Sequence, residues 1–518
     1  MQSFKLENIK SFKNTPEIEL KPINIFVGPN SSGKSSLIRF PVVLNQTVID
    51  ENTPLKLFGN LIDYGNFEDV IYNHKGHTIS FEIIFDKIRF PVHYEDPKND
   101  FEKNINSVRK LLSTGDLKIK VKLYKDKKIY VDEFALKADN KEILKIKKAG
   151  KGLNATYDMK FYFNGVNKYL KKIQMDFVGF IPDIRYGTNE TIMDDLCSNI
   201  VNKEVDLRKM LYLRQDFPLE LESESLNSKG FSKNDIRKIK SNVTKLNLLS
   251  NIQRLLNELQ YKTRPHLTNI IYIGPFRKSP ERIYRDSETN FLNVGVEGEN
   301  TVLLLKQSEQ NEKKGYKTVE KVSEWLYDSL GYSLKLEEIE STQLFKVLIS
   351  SPNNSTGDNI IDVGYGISQV LPIVTQLYHK RHGNGRWKYH KNSIFIIEQP
   401  ELHLHPAAQS QLADLFVEKV VSDKRSKLLI ETHSEHLIRK LQILVADPEC
   451  MINSEDIAIY YISKKGKSTE SEILRINMND NGTFADEWPS GFFDKNYELS
   501  KQLLLLNLKN NKSKGDEQ

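Results

Sequence analysis

Cysteine is almost missing from this chain. It has two, Cys197 and Cys450, among 518 residues and in unrelated contexts. That rules out a disulfide framework and a C-x-x-C zinc site as props for the fold. Long apolar runs are missing too: no stretch of 18 or more apolar residues occurs, so no helical membrane span is expected. The opening run MQSFKLENIK alternates polar and apolar residues and lacks the greasy core of a secretory signal. The expected setting is therefore the cytoplasm, with no membrane partner. Neither sign of charge dominates, since 75 Lys and Arg against 69 Asp and Glu leave a net +6. This mild excess does not mark a nucleic-acid binder, because a solvated lysine-rich surface accounts for it as well.

What is present suits a globular protein of more than one domain: 39% hydrophobic and 28% charged residues in a chain too long for one ordinary core. No internal repeat is visible. Alternation predicts strands at Ser3–Ile9, Glu17–Leu20 and Thr78–Phe85, and a short apolar run predicts another at Ile23–Val27. A helix is expected from Lys34 to about Val43. From about residue 97 to 265 lysines multiply, as in DLKIKVKLYKDKKIYVDEF. Strand-like alternation gives way there to a helical spacing of Ile236, Ile239, Val243, Leu246, Leu249, Ile252, Leu255 and Leu256. The stretch reads as an insertion. Beyond Ile270, strand, turn and helix alternate to about Leu444, with a helix at Val319–Leu330 and polar loops at 306–316 and 352–358. Short strands and an aromatic cluster follow in Asp456–Asn496, and the tail after Leu506 is expected to lack order.

The strongest chemical signal is GPNSSGKSS, Gly28–Ser36, which fits G-x-x-x-x-G-K-[ST] between an expected strand and an expected helix. Gly28 and Gly33 let the backbone turn tightly and present N–H groups to phosphate oxygens, helped by the positive field of a helix start. Lys34 would place its charge on the β- and γ-phosphates, and the Ser35 hydroxyl would ligate Mg2+. Asn30, Ser31, Ser32 and Ser36 complete the loop. The implied ligand is ATP with magnesium.

Three further runs carry chemistry. SIFIIEQPELHLHP is an apolar strand ending in Glu398, suited to a second magnesium contact. Gln399 follows, and a neutral amide can orient water but cannot take its proton. Glu401 is a candidate substitute. Pro406 opens a helix to about Val421. SKLLIETHSEH is a second apolar strand, ending in Thr432–His433–Ser434, where His433 could hydrogen-bond a γ-phosphate or the attacking water. His403, His405, His433 and His436 lack matched acidic partners for zinc. Finally, DVGYGISQVLPIV sets Gly366, Ser368 and Gln369 at a helix start. That is an anion site in principle, or an ordinary capped helix.

In this order the four runs resemble ABC-type ATPases of the RecF, SMC and OLD-like class. They are similar in particular to a bacterial family of standalone ATPases with P-E-x-H-L-H-P, E-T-H-S and a terminal W-P-x-G-F-F-D, here Trp488–Asp494. IYIGPFRKSPERIY (Ile271–Tyr284) and DYGNFEDV (Asp63–Val70) also look like that family. The resemblance covers about residues 1–95 and 270–496. It implies an α/β fold, an ABC-ATPase head of mixed sheets with flanking helices interrupted by a mixed α/β or helical insertion. The expected division is 1–96 as the N-terminal lobe, 97–269 as insertion, 270–450 as the C-terminal lobe and 451–518 as C-terminal segment and tail.

The resemblance also implies roles. Gly28–Ser36 is Walker A, Ser368 lies in a signature motif acting in trans, and Glu398 holds the Walker B position. Gln399 stands where a catalytic glutamate is usual, His433 is the switch histidine, and Asp63–Asp69 does Q-loop work. The implied protein is an ATPase working as a head-to-tail homodimer or larger even-numbered oligomer, slowed by Gln399. Its implied role is that of a sensor in an antiphage system like Septu, retron or PARIS, with a separately encoded effector, such as a nuclease. The alternative is a RecF-like repair ATPase clamping DNA, for which the lysine-rich stretch 118–151 is the candidate nucleic-acid surface. No Toprim nuclease, coiled coil or zinc hook is expected in this chain.

Overall fold

Five short runs, Ile23–Val27, Ile270–Ile273, Ile394–Glu398, Lys427–Glu431 and Ile457–Lys464, are nearly all apolar and do not alternate. Such runs suit strands covered on both faces of a parallel sheet. The computed structural model places them in one sheet in the order 270–273, 394–398, 427–431, 23–27, 457–464, all parallel, with Ser471–Ile476 antiparallel at the edge. Every residue of Ile23–Val27 and Ile394–Glu398 is buried. The register sets Glu398 opposite Glu431, and Glu431 opposite Phe26. The carboxyl ends of these strands therefore emerge along one edge, where the loop at Gly28 begins.

The structure describes residues 1–91, 100–150, 156–163, 166–184, 232–312, 317–379, 393–466, 468–489 and 501–502. The chain divides into two units, one made of Met1–Ile18 and Val43–Thr268, the other of Glu19–Val42 and Asn269–Gln518. The parallel sheet belongs to the second unit. Around it lie Pro406–Ser422, Glu435–Ala446, Thr318–Leu330 and Tyr365–Tyr378, whose Leu412, Phe416, Leu437, Leu441, Val322 and Ile373 join the sheet residues in a common core. Pro406 starts its helix at a position whose N–H needs no partner. Ser434 caps the next helix, its hydroxyl accepting from the Leu437 N–H at 3.1 Å. Gly331, at φ 76°, ends Thr318–Leu330. A smaller antiparallel sheet joins 284–285, 344–351, 333–338 and 354–359.

Two expected loops are regular structure instead. Thr301–Glu312 is a helix, with 313–316 outside the described residues, and Asn354–Asn359 pairs with Leu344–Ser351. The first was hidden because Lys306 is buried at 4% exposure with its charge met by Glu309 and Glu338, so a polar letter sits on a packed face. The helix expected from Lys34 to Val43 is broken into Lys34–Ile38 and Phe40–Asp50. Pro41 has no N–H to donate back to Leu37, which interrupts the ladder there.

The first unit is built on an antiparallel meander in the order 166–173, 157–163, 141–148, 129–138, 117–125, 78–85, 3–9, 12–14. The grouping differs from the expected division at residue 97. Thr78–Phe85 pairs along its whole length with Leu117–Lys125, so the lysine-rich strands extend the N-terminal sheet rather than standing apart from it. Residues 19–42, expected in the N-terminal lobe, group with 269–518. Helix Lys233–Thr268 runs past its expected end at Leu259 and buries Leu249, Ile252, Leu255, Leu256 and Leu259. Arg109 of Asp100–Thr114 makes a bidentate pair with Glu258 of that helix.

In the C-terminal segment Trp488 packs on Phe484 with ring centroids 4.7 Å apart. Residues 490–494 of the W-P-x-G-F-F-D run, the tail after Leu506 and 185–231 of the expected insertion lie outside the described residues. Among the described residues no helix is long and apolar enough to cross a membrane.

Candidate functional site

The loop after Ile23–Val27 owes its shape to left-handed backbone at Gly28 (φ 140°), Ser31 (φ 59°) and Gly33 (φ 106°). Gly28 must be glycine on two counts: its φ disfavours any side chain, and a Cβ there would lie 2.0 Å from the Ile462 carbonyl oxygen. Backbone that changes hand in this way forms the concave N–H cradle that accepts anions. Pro29, Asn30 and Ser31 are exposed at its tip, whereas Ser32 is buried with no partner for its hydroxyl. The Ser471 hydroxyl fastens the loop by donating to the Ser32 carbonyl at 2.5 Å. Ser36 lies in the short helix that follows.

Lys34 is 4% exposed, and its ammonium donates to the carbonyls of Gly28 at 3.0 Å and Pro29 at 2.9 Å. Burial holds its pKa below the ordinary lysine value, opposed by Glu431 and Glu401. The ammonium thus curls over its own loop onto neutral oxygens, which phosphate oxygens would replace with stronger, charged acceptors.

Two carboxylates stand side by side at the strand ends and have different partners. Glu398 is 2% exposed and clasped by Arg39, with Nε to Oε1 at 2.5 Å and Nη2 to Oε2 at 2.6 Å. Tyr272 also donates to its Oε1 at 2.8 Å. The carboxylate holds the Arg39 pKa above its ordinary value against the opposing effect of burial, while burial and the same carboxylate push the Tyr272 hydroxyl up. Arg277 is tied to the backbone instead, donating to the Glu398 carbonyl at 2.8 Å, and burial pulls its pKa down to about 10.

Glu431, on the strand between Glu398 and the loop, accepts from the Ser35 hydroxyl at 3.0 Å. Its Oε1 lies 3.9 Å from the Lys34 ammonium, and its Oε2 is buried without a partner. Burial, with repulsion from Glu398, pushes its pKa up to about 7.

Gln399, at φ 46°, donates its N–H to the Glu431 carbonyl at 2.7 Å. Glu401 accepts from the His433 N–H at 2.6 Å, its other oxygen is buried without a partner, and burial raises its pKa. It braces the backbone of the histidine segment. Burial and the nearby Lys34 charge lower the His433 pKa, so its imidazole is neutral at physiological pH. The structure thus gathers Lys34, Ser35, Glu398, Gln399, Glu401, Glu431 and His433 around one loop.

Ser368 stands elsewhere in its unit. Its hydroxyl donates to the Tyr365 carbonyl at 2.7 Å, and the residue lines a cleft with Lys278, Tyr284, Glu299 and Thr301. Gly366 permits a close approach, since a Cβ would lie 2.8 Å from the His403 carbonyl oxygen. Gln369 is buried with its amide nitrogen unpartnered. Gly364 and Tyr365, at the start of this helix, are exposed. The loop Asp63–Asp69 belongs to the first unit, where Asn66 and Asp69 form a reciprocal capping box.

Sequence reasoning overlooked Glu431, Arg39 and Tyr272. Glu431 carried the same signal as Glu398, an apolar strand ending in an acid. Arg39 and Tyr272 carried none, because nothing local says which carboxylate they face. Among the described residues no three His, Cys, Asp or Glu side chains are grouped to hold a metal by themselves. Magnesium in a nucleotide site needs only one or two protein oxygens besides phosphates and water, and the Ser35–Glu431 pair offers that donor set.

The family described as "AAA ATPase domain" matches residues 1–438. A second, described as "Protein of unknown function (DUF3696)", matches residues 452–503. None of the curated proteins matches the chain. Three SMC heads are among the similar solved structures. An SmcHead bound to the C-winged helix domain of ScpA is 13% identical, with TM-score 0.39, covering 92% of this chain and 98% of that one. The Smc head domain with an extended coiled coil bound to the C-terminal domain of ScpA from Pyrococcus furiosus is 13% identical, with TM-score 0.38 and coverage of 92% and 96%. The SMC head domain from Thermotoga maritima is 11% identical, with TM-score 0.33 and coverage of 92% and 99%. Likenesses this distant bear on neither activity nor partners.

Proposed function

The chain belongs to the AAA ATPase domain family, and from that premise we propose that it binds ATP with magnesium on Gly28–Ser36 and hydrolyses it in a site closed by a second copy paired head to tail. The observation that carries this is the cradle itself: a left-handed loop no Cβ can enter at Gly28, a buried Lys34 that donates to the Gly28 and Pro29 carbonyls of that loop, and Ser35 against a carboxylate. Lys34 and the loop N–H groups hold the β- and γ-phosphates. Magnesium, held by Ser35 and a strand-end carboxylate, would neutralise phosphate charge. Neutral His433 is able to donate to the γ-phosphate, and Gln399 orients the attacking water without removing its proton, which makes turnover slow. In-trans closure is supported by the exposed start of Tyr365–Tyr378, which leaves Gly364 and Tyr365 open to a partner.

Complementation tests this directly. Lys34→Ala and Ser368→Arg each abolish ATP turnover. Mixing the two rebuilds one intact composite site per mixed dimer and restores turnover. If each variant is folded and dimeric with ATP yet the mixture stays dead, the head-to-tail arrangement fails. If wild type binds no ATP in magnesium, the whole proposal fails.

Within that proposal the ATPase is the cytoplasmic sensor of an antiphage system with a separate effector, which Lys34→Ala should inactivate in a phage plating assay. The DNA-clamping alternative draws less support. On Leu117–Lys125 residues 117, 119, 121 and 123 point inward while Lys118, Lys120 and Lys122 point out. Several of the lysines in this sheet are matched by acids, Lys120 by Glu7, Lys122 by Asp132 and Lys145 by Glu133. Interleaved charge of this kind is a solvated sheet face rather than a track for phosphates.

A further inference from the structure

We propose that Glu431, and not Glu398, is the carboxylate that completes the magnesium site with Ser35; this rests on the ATP-binding reading above. Four observations lead there. The Ser35 hydroxyl and Glu431 Oε1 are 3.0 Å apart. Adjacent ligands of an octahedral magnesium ion, each at about 2.1 Å, stand about 3.0 Å apart, so the two oxygens already have the spacing of neighbouring ligands. Glu431 is 4% exposed and its second oxygen is buried with no hydrogen-bond partner, a strong acceptor left open. Glu398, in contrast, has both oxygens engaged, by the Arg39 guanidinium and the Tyr272 hydroxyl. To ligate a cation this buried carboxylate would have to leave a bidentate, half-buried partner of the same sign as the incoming ion.

Strand order gives the fourth. Lys427–Glu431 is hydrogen-bonded to the loop strand Ile23–Val27, while Ile394–Glu398 is one strand further out. Neighbouring strands are about 4.8 Å apart, so the Glu398 backbone starts about twice as far from the loop strand as that of Glu431. Glu398 is then a positioning residue, locking Arg39, at the end of the loop's helix, to the sheet.

The test is affinity for a fluorescent ATP analogue in EDTA and in magnesium, so it does not depend on turnover. Wild type should bind about tenfold or more tightly with magnesium. Glu431→Gln should lose that gain while binding the metal-free analogue at least as well as wild type, and Glu398→Gln should keep the gain. Glu431→Cys should lose the gain with magnesium and recover it with thiophilic cadmium, which separates ligation from a folding defect. A Glu431→Gln protein that keeps the full magnesium gain, or a Glu431→Cys protein that cadmium does not rescue, overturns the assignment while the ATP-binding reading stands. A wild type indifferent to magnesium overturns both.

Discussion

Replacing Glu431 with Gln should make the nucleotide-free protein more stable at about pH 8 and leave it unchanged at about pH 3. Burial and Glu398 push the Glu431 pKa from an ordinary 4.5 up to about 7, against the Ser35 hydrogen bond and the Lys34 and Arg39 charges. The folded state therefore holds the proton more tightly than the unfolded chain. Well below pH 4.5 both states are protonated and the residue costs nothing. Between pH 4.5 and about 7 the unfolded chain has released its proton and the folded one has not, so stability falls as pH rises. Above about 7 the loss levels off, and a shift of this size corresponds to about 3 kcal/mol. Gln has the same shape and never ionises, so it removes that loss. Local amide exchange along Lys427–Glu431 is the suitable assay, because a two-unit chain need not unfold in one step. Protection in the variant should match wild type at about pH 3 and exceed it by up to about 3 kcal/mol at about pH 8. A gap independent of pH, or a variant less protected at pH 8, would refute the claim that Glu431 is a buried charge without adequate compensation.

Two further perturbations act on neighbouring contacts. Arg39→Met strands a buried Glu398 carboxylate with Tyr272 as its remaining side-chain donor and should cost about 3–5 kcal/mol in urea unfolding. Adding Glu398→Met to it should recover most of that loss, since the unpaired charge goes too. Gly28→Ala forces a Cβ against the Ile462 carbonyl at a φ that side chains rarely adopt. It should weaken ATP binding at least about tenfold in an equilibrium titration, and wild-type affinity would show that the loop shape is not required.

Local signals made much of this legible. The strands Ser3–Ile9, Ile23–Val27 and Thr78–Phe85 lie where alternation and apolar runs put them, because period-two burial is written in adjacent residues. The turn at Gly28–Ser36 was legible for the same reason: its two glycines and small polar residues are nine consecutive letters. Misreadings arose where polar letters were satisfied by distant partners. Lys306 looked like loop and is a packed helix residue because Glu338 meets its charge. The grouping of residues 117–173 with the N-terminal sheet was equally hidden, since strand Thr78–Phe85 gives no sign of what pairs along its edge.

By itself the sequence determined that this chain has a glycine-rich loop after an apolar strand, a lysine and hydroxyl at its end, and apolar strands ending in carboxylates. Tertiary structure alone decided which carboxylate stands at the hydroxyl. Ile394–Glu398 and Lys427–Glu431 are locally interchangeable, each an apolar run ending in Glu. Their order beside Ile23–Val27 is set by hydrogen-bond ladders between segments hundreds of residues apart, and Ser35 meets a glutamate 396 positions away. No spacing rule reaches that far, because a ladder records only which edges the folded core brings together.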